Sequence, residues 1–471
     1  MEKNLTIFIT LLVILVFAGM ACAGDEPEAR FPETNAGKRA FSYFSAFNSN
    51  NENDMRTYLE QNFASHTLKE RPIEERMAVY RQLKSDLATL EPVKILKESA
   101  DGIRLVARSA KESWLELTFE LEKSEPYKLL GIRIMRLDEP PDLDAQTAPI
   151  TEEEMLKELG TFMNEITMKD EFSGVVLLAK GETPIFRKAY GLASKEYNAP
   201  NRVDTRFNLG SINKYITRIA IEQLEGKGSL RLDDPIIKYL SDYPNKEAAE
   251  KVTISHLLDM TSGIGDFFGE KYQSTPKDRI RNLSDYLLLF GDESLLFEPG
   301  TNHQYSNGGY IVLGLIIEKV SGQTYFDYVR DHIYKIAGME NTTHLEADVP
   351  TENVASGYTN NWDENDHPSE LRRNNIYTRP ARGSSAGGGY SMVDDLLKLV
   401  VALKTNKLLA PKTSEEINGA GIAIAGGAPG INAQVETNPE TNYVIIVLSN
   451  YDPPTAGKVA NKINSFLERL K

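Results

Sequence analysis

Apolar positions in this chain repeat with two periods, and the order in which the periods alternate divides it. Ala40, Phe41, Phe44 and Phe47 recur at helical spacing behind Thr34, a capping residue, and the run stops at the polar Asn48-Ser49-Asn50-Asn51. A second helix is predicted from near Pro72, with Ile73, Met77, Tyr80, Leu83 and Leu87 on one side. Period-two segments follow around 93–96, 103–107, 115–121 and 129–137. The third is the clearest, with Leu115, Leu117, Phe119 and Leu121 alternating with Glu116, Thr118, Glu120 and Glu122. Helices followed by a strand meander predict a small α+β unit over 31–138, its curved sheet wrapped on a helix.

The stretch 139–150, opened by Glu139-Pro140-Pro141, reads as a linker. Thr151 and Glu154 then form a capping box before a helix that turns Met155, Leu159, Phe162, Met163 and Ile166 inward. Strands are predicted at 172–179, 185–190 and 443–448, and a last helix carries Val459, Ile463, Phe466 and Leu470. Between them, 204–407 is rich in helical patterns. Strands near both ends of 151–471 predict one sheet built from the two termini of that region, with a helical insertion between.

At 471 residues, 41% of them hydrophobic and 26% charged, the composition is that of a globular protein with more than one core. A net charge of −15 argues against nucleic acid or an anionic membrane as the main partner. Residues 1–23 read as an export signal, an apolar run ending in Ala21-Cys22-Ala23 before Gly24-Asp25-Glu26. Cleavage, a lipid on Cys22 and retention as a membrane anchor are the three outcomes open to it. Cys22 is the only cysteine, so no disulfide is expected. The six histidines fall in no ligand-spaced group, so neither a metal nor another cofactor is expected.

Ser211-Ile212-Asn213-Lys214 carries the candidate chemistry. Ile212, Ile216, Ile219, Ala220 and Leu224 predict a helix to about Gly226, which puts Ser211 at its entrance among free N–H groups. Lys214 lies one turn along, where a desolvated amine can take the proton of a serine hydroxyl. A second Ser-x-x-Lys, Ser274 to Lys277, holds Pro276 in a polar stretch and reads as a loop. Tyr305-Ser306-Asn307 precedes a helix over 309–320. There Tyr305 is a candidate phenolate base if a nearby ammonium lowers its pKa, and Asn307 can orient Lys214 and a substrate amide.

The order of these motifs resembles that of serine β-lactamases and penicillin-binding proteins, where Ser-x-x-Lys is followed by Tyr-Ser-Asn behind Phe297-Glu298-Pro299-Gly300 and then by a glycine-rich strand. The Tyr-x-Asn form is similar to the class C branch with its related esterases and D-alanyl-D-alanine peptidases. Leu232-Asp233-Asp234-Pro235, Thr261-Ser262-Gly263 and Ala386-Gly387-Gly388-Gly389-Tyr390-Ser391 extend the likeness over most of 151–471. It implies an α+β fold, a β-lactamase-like antiparallel sheet flanked by helices beside an all-helical subdomain. The small unit before it is similar, in pattern only, to cystatin-like cones. The resemblance also implies that Ser211 is acylated, Lys214 accepts its proton, Tyr305 is the general base and Asn307 positions the substrate. Gly426 and Gly427 would then lie at the oxyanion hole, where Ser211 and Gly427 supply the N–H groups.

One element departs from the family. Ile424-Ala425-Gly426 stands where Lys-Thr-Gly or His-x-Gly is expected, and Ile424 offers no charge. The connection 409–421 is short, which predicts that a sheet strand is missing or replaced by residues 421–425. The leading expectation is an exported serine hydrolase acting on an ester, amide or cell-wall peptide through an acyl-serine. The alternatives are a non-catalytic relative that binds cell-wall peptide or a protein in the old cleft, and an interaction protein whose N-terminal unit is the functional part.

Overall fold

A computed structural model describes residues 31–137, 148–360 and 371–470. The expected export signal and Cys22, like most of the expected linker, lie outside these. The described residues form two compact units, divided between 137 and 148.

In the first unit, helices α1 (Asn35–Asn48), α2 (Glu52–Asn62), α3 (Ser65–Glu70) and α4 (Ile73–Leu87) precede strands β1 (Leu90–Ser99), β2 (Gly102–Ser109), β3 (Trp114–Leu121) and β4 (Leu129–Leu137). The strands pair antiparallel in sequence order. Bulges at Pro92/Lys94 and Ile95/Lys97 of β1, and at Glu120/Leu121 of β3, add twist and let the sheet curve. Leu115, Leu117, Phe119 and Leu121 are all buried, and Phe119 meets Tyr43 of α1 edge-on at 5.5 Å between ring centres. Thr34 caps α1 by accepting from Gly37 N–H. Phe41, expected inward, is 57% exposed and rests on Phe31 instead, because Ala40, Phe44 and Phe47 already fill the buried stripe. The polar helices α2 and α3 escaped prediction.

In the second unit, Ile150 N–H donates to Arg469 C=O, so the last residues of the expected linker already belong here. Thr151 and Glu154 form the capping box that opens α5 (Glu152–Met168). A five-stranded antiparallel sheet runs in the order Ala423–Ala428, Ile431–Asn438, Tyr443–Ser449, β5 (Gly174–Lys180), β6 (Thr183–Tyr190). The short connection before Ala423 therefore costs no strand; helix Pro411–Asn418 leads almost directly into the sheet edge.

Both faces of this sheet are covered. Val175, Leu177 and Ala179 of β5 join the large core, while Val176 and Leu178 join a second core with Met155, Leu159 and Met163 of α5 and Val459 and Ile463 of the last helix, Thr455–Leu467. The strand reads as continuously apolar because it is buried on both sides. Helix α6 (Ile212–Gly226) packs in the large core through Ile212, Ile216, Ile219, Ala220 and Leu224. Helix Asn307–Ser321 lies against it and ends at Gly322 in the left-handed conformation.

Candidate active site

Ser211 stands at the N-cap of α6 but makes no capping bond with its side chain, so its hydroxyl is left for other partners. Its turn leaves strand Phe207–Asn208, which pairs with Tyr390–Ser391. Gly210, at φ +50°, makes the turn, and Asn208 Oδ1 accepts from Gly210 N–H at 2.9 Å.

Three side chains on one face of α6 clamp the loop 385–389. Asn213 Oδ1 accepts from Gly389 N–H at 2.7 Å, Lys214 Nζ donates to Ala386 C=O at 2.6 Å, and Thr217 Oγ1 donates to Ser385 C=O at 2.7 Å. The same Lys214 donates to Asn307 Oδ1 at 2.6 Å and to Ser211 Oγ at 3.3 Å. Tyr305 approaches from the other side, its hydroxyl 2.6 Å from Ser211 Oγ. Ser211, Lys214, Tyr305 and Asn307, gathered from positions up to 96 apart in sequence, thus meet at one point. Ser274 and Lys277 form no second centre: Ser274 bonds back to Glu270 C=O and Lys277 to Thr275 C=O.

Burial sets the protonation states. Lys214 is 6% exposed, and desolvation of its ammonium lowers its pKa to about 7, against the pull of Asp266. Tyr305 is shifted upward, chiefly by burial, with Asp266 adding to the rise and the Ser211 hydrogen bond opposing it. The expected lowering of the phenol by a nearby ammonium is therefore not found. Lys214 is the group brought into range for a neutral base, and Tyr305 stays a phenol.

Asp266 was not anticipated. Its Oδ2 accepts from Asn307 Nδ2 at 2.6 Å and so turns the Asn307 carbonyl toward Lys214. The only signal was its place three residues after Thr261-Ser262-Gly263. The Ala386 carbonyl carries no sequence signal at all.

The edge strand Ala423–Ala428 forms the opposite wall. Ala428 and Ile431 flank a two-residue turn, so Gly427 and Asn432 make a non-hydrogen-bonded pair and Gly427 N–H faces the free edge. A Cβ on Gly426 would lie 1.9 Å from Leu209 O and 2.9 Å from Ser211 N, and one on Gly210 would lie 2.9 Å from Gly427 N. Strand and nucleophile turn touch backbone to backbone, which makes the Ser211 and Gly427 N–H groups the candidate donors of an oxyanion hole. We predict that Gly426→Ala forces the strand away and lowers serine acylation by about 10²–10³-fold, the loss expected for one oxyanion donor. Labelling rates, with circular dichroism to confirm folding, measure it. Ile424 lies on the Gly426 face and packs against the large core, so no cation stands there.

The Beta-lactamase family model matches residues 161–468. This chain belongs to the beta-lactamase family. Penicillin-binding protein 4* of Bacillus subtilis is 29% identical over 301 residues, 61% of this chain and 65% of that protein, so the likeness leaves about a third of that relative uncovered. Esterase EstB of Burkholderia gladioli is 28% identical over 287 residues, 54% of this chain and 72% of that protein. The crystal structure of a penicillin binding protein from Bacillus halodurans shares 31% identity with a TM-score of 0.57, covering 64% of this chain and 98% of that one. The beta-lactamase family thus includes esterase and penicillin-binding relatives of this chain, and the matched residues hold the whole Ser211 site.

Proposed function

We propose that this member of the beta-lactamase family is a working serine hydrolase that cleaves esters or amides lacking a carboxylate beside the scissile bond. The observation that carries this reading is Lys214, buried, low in pKa and bonded to Ser211 Oγ. A family member that only bound peptides would have no need to keep a desolvated amine on a serine hydroxyl.

In the acylation step Ser211 Oγ bonds to the substrate carbonyl carbon and its proton passes to Lys214 Nζ. The carbonyl oxygen becomes an oxyanion between Ser211 N–H and Gly427 N–H. As the tetrahedral adduct collapses, the Tyr305 hydroxyl protonates the departing oxygen or nitrogen, and the Lys214 ammonium returns a proton to Tyr305, leaving the acyl-serine ester and a neutral Lys214. Water then attacks the ester, giving its proton to Lys214, and the carboxylic acid leaves as Ser211 is reprotonated.

Substrate charge follows from the walls. Ile424 gives no cation for a substrate carboxylate, and Asp266 adds negative potential. Purified protein should therefore react with a fluorescent fluorophosphonate and turn over neutral nitrophenyl esters, while a fluorescent penicillin labels it slowly or not at all. Folded protein that no serine reagent labels would end the enzyme reading and leave the peptide-binding one. Ile424→Lys is predicted to raise kcat/KM about tenfold for esters bearing a free carboxylate and to leave neutral esters unchanged, since an added charge-assisted hydrogen bond is worth about 1.5–3 kcal/mol. Paired assays on one variant test this. Export of the protein through residues 1–23 belongs to the same proposal, and fractionation of expressing cells checks it.

A further inference from the structure

Behind the nucleophile turn lies a cavity of about 350 Å³ that none of Ser211, Lys214, Tyr305, Asn307 or Gly427 lines. Its walls include Asn208, Gly388, Arg379 and Tyr390 on one side and Glu346, Asp348 and Val349 on the other. Arg379 is its unsatisfied group. One guanidinium nitrogen, Nη1, donates to the Tyr390 hydroxyl, Nε is buried with no acceptor, and no carboxylate pairs with Arg379 among the described residues. The two acids in the wall are already matched. Arg281 holds Asp348 at 2.6 Å and Glu346 at 2.7 Å, and Arg382 lies 3.7 Å from Glu346. Of these three guanidiniums, Arg379 is the one with no carboxylate in ion-pair range among the described residues, so its positive charge is unmatched. A half-buried guanidinium with unused N–H donors is stabilised by a bound counter-ion that pairs with it.

We propose that this cavity binds a small monocarboxylate and that its occupancy tunes the nucleophile. A guanidinium takes a carboxylate through two parallel hydrogen bonds, and the single surplus charge favours a monoanion over a dianion such as hydrogen phosphate. Asn208 links the site to the turn. Its Oδ1 already holds Gly210 N–H, while its Nδ2 has no partner among the described residues and is free to donate to the ligand. Asn208 is also paired with Tyr390, which carries Arg379 on its hydroxyl. A carboxylate bridging Arg379 and Asn208 fixes the amide in the orientation that holds Gly210, and so the Ser211 turn, in place. Hydrolysis of an ester or amide releases a carboxylate, so a reaction product has the chemistry this cavity takes. Only this last link and the rate effect rest on the enzyme reading; binding does not.

Calorimetric titration of the full chain with sodium benzoate, and separately with inorganic phosphate, tests the site. Benzoate should bind saturably at one site in wild type and equally in Ser211→Ala, which excludes the nucleophile. Arg379→Gln should weaken it at least tenfold. Val349→Trp should do the same by blocking the cavity from its rim, where Val349 is 56% exposed and a larger side chain leaves the core untouched. Saturating benzoate should speed fluorophosphonate labelling of Ser211 at least threefold in wild type and leave the rate in Arg379→Gln unchanged. No saturable benzoate binding by folded wild type, equal binding by both cavity variants, or preference for phosphate would overturn the site. Binding with an unchanged labelling rate in labelled protein would overturn the coupling, and binding by protein that no reagent labels would keep the site and remove the enzyme.

Discussion

Ser211→Ala is expected to abolish fluorophosphonate labelling and to cut ester turnover by about 10⁴-fold or more, the loss seen when a nucleophile is removed from an otherwise intact centre. The variant should fold as well as the wild type. Among the described residues Ser211 Oγ is bonded only to Tyr305 and Lys214, both of which keep other contacts, and the turn is made by Gly210 and Asn208 rather than by the serine side chain. Tyr305 is 48% exposed, so water can replace the lost hydroxyl as its partner. Rates for wild type and variant, with thermal unfolding recorded on both, decide the matter. Turnover that persists in Ser211→Ala would place the chemistry elsewhere in the chain.

The second large effect belongs to Lys214. In the proposed mechanism its neutral form accepts the Ser211 proton, and burial lowers its pKa to about 7. Below that pH the amine is protonated and cannot act, so kcat/KM should fall tenfold for each pH unit under about 7 and level off above it. Asp266 favours the ammonium, so Asp266→Asn should move this midpoint to lower pH, whereas a purely structural role for Asp266 would lower the rate with the midpoint unmoved. Lys214→Met keeps most of the side-chain volume, removes the base and should cost about 10²–10⁴-fold in acylation. A profile flat from pH 5 to 8 would remove Lys214 from the role of base. Ala386 C=O and Asn307 Oδ1, which Lys214 now serves, would each lose a donor in Lys214→Met. Some loss of stability is therefore expected as well, on the order of 1–3 kcal/mol for each buried acceptor left unpaired.

The helices and strands that pack by one stripe were legible in the residues. Leu115 to Leu121 alternate because one side of β3 faces α1, and Ile212 to Leu224 repeat because one side of α6 faces the core. The pattern failed where burial was not one-sided or too slight to see. Helix α2 buries only Met55, Tyr58 and Leu59, too few to rise above its polar background. Phe41 looked inward by spacing, but three neighbours had taken the buried stripe and it was left on Phe31.

In the site, Ser211, Lys214, Tyr305 and Asn307 were marked by short motifs at a helix entrance and a turn, whereas Gly426 and Gly427 were indicated only by the family resemblance. Asp266 lies 41 residues from the Asn307 it orients, and the Ala386 carbonyl 172 from Lys214. No local pattern records either contact.

By itself, then, the sequence determined the helices, strands and capped turns, because hydrophobic periodicity, capping and turn residues act over a few positions, and the resemblance of its motifs implied the kind of fold and the candidate chemical groups. Only the tertiary structure decided the state of those groups. Whether Lys214 is an ammonium or an amine depends on how completely segments around 266, 307 and 386 exclude water from it. Partial desolvation of the Tyr305 hydroxyl shifts its pKa upward, which is why the proposed mechanism assigns the base to Lys214. A pKa is a property of the whole surrounding volume, and that volume exists only once distant parts of the chain have closed around it.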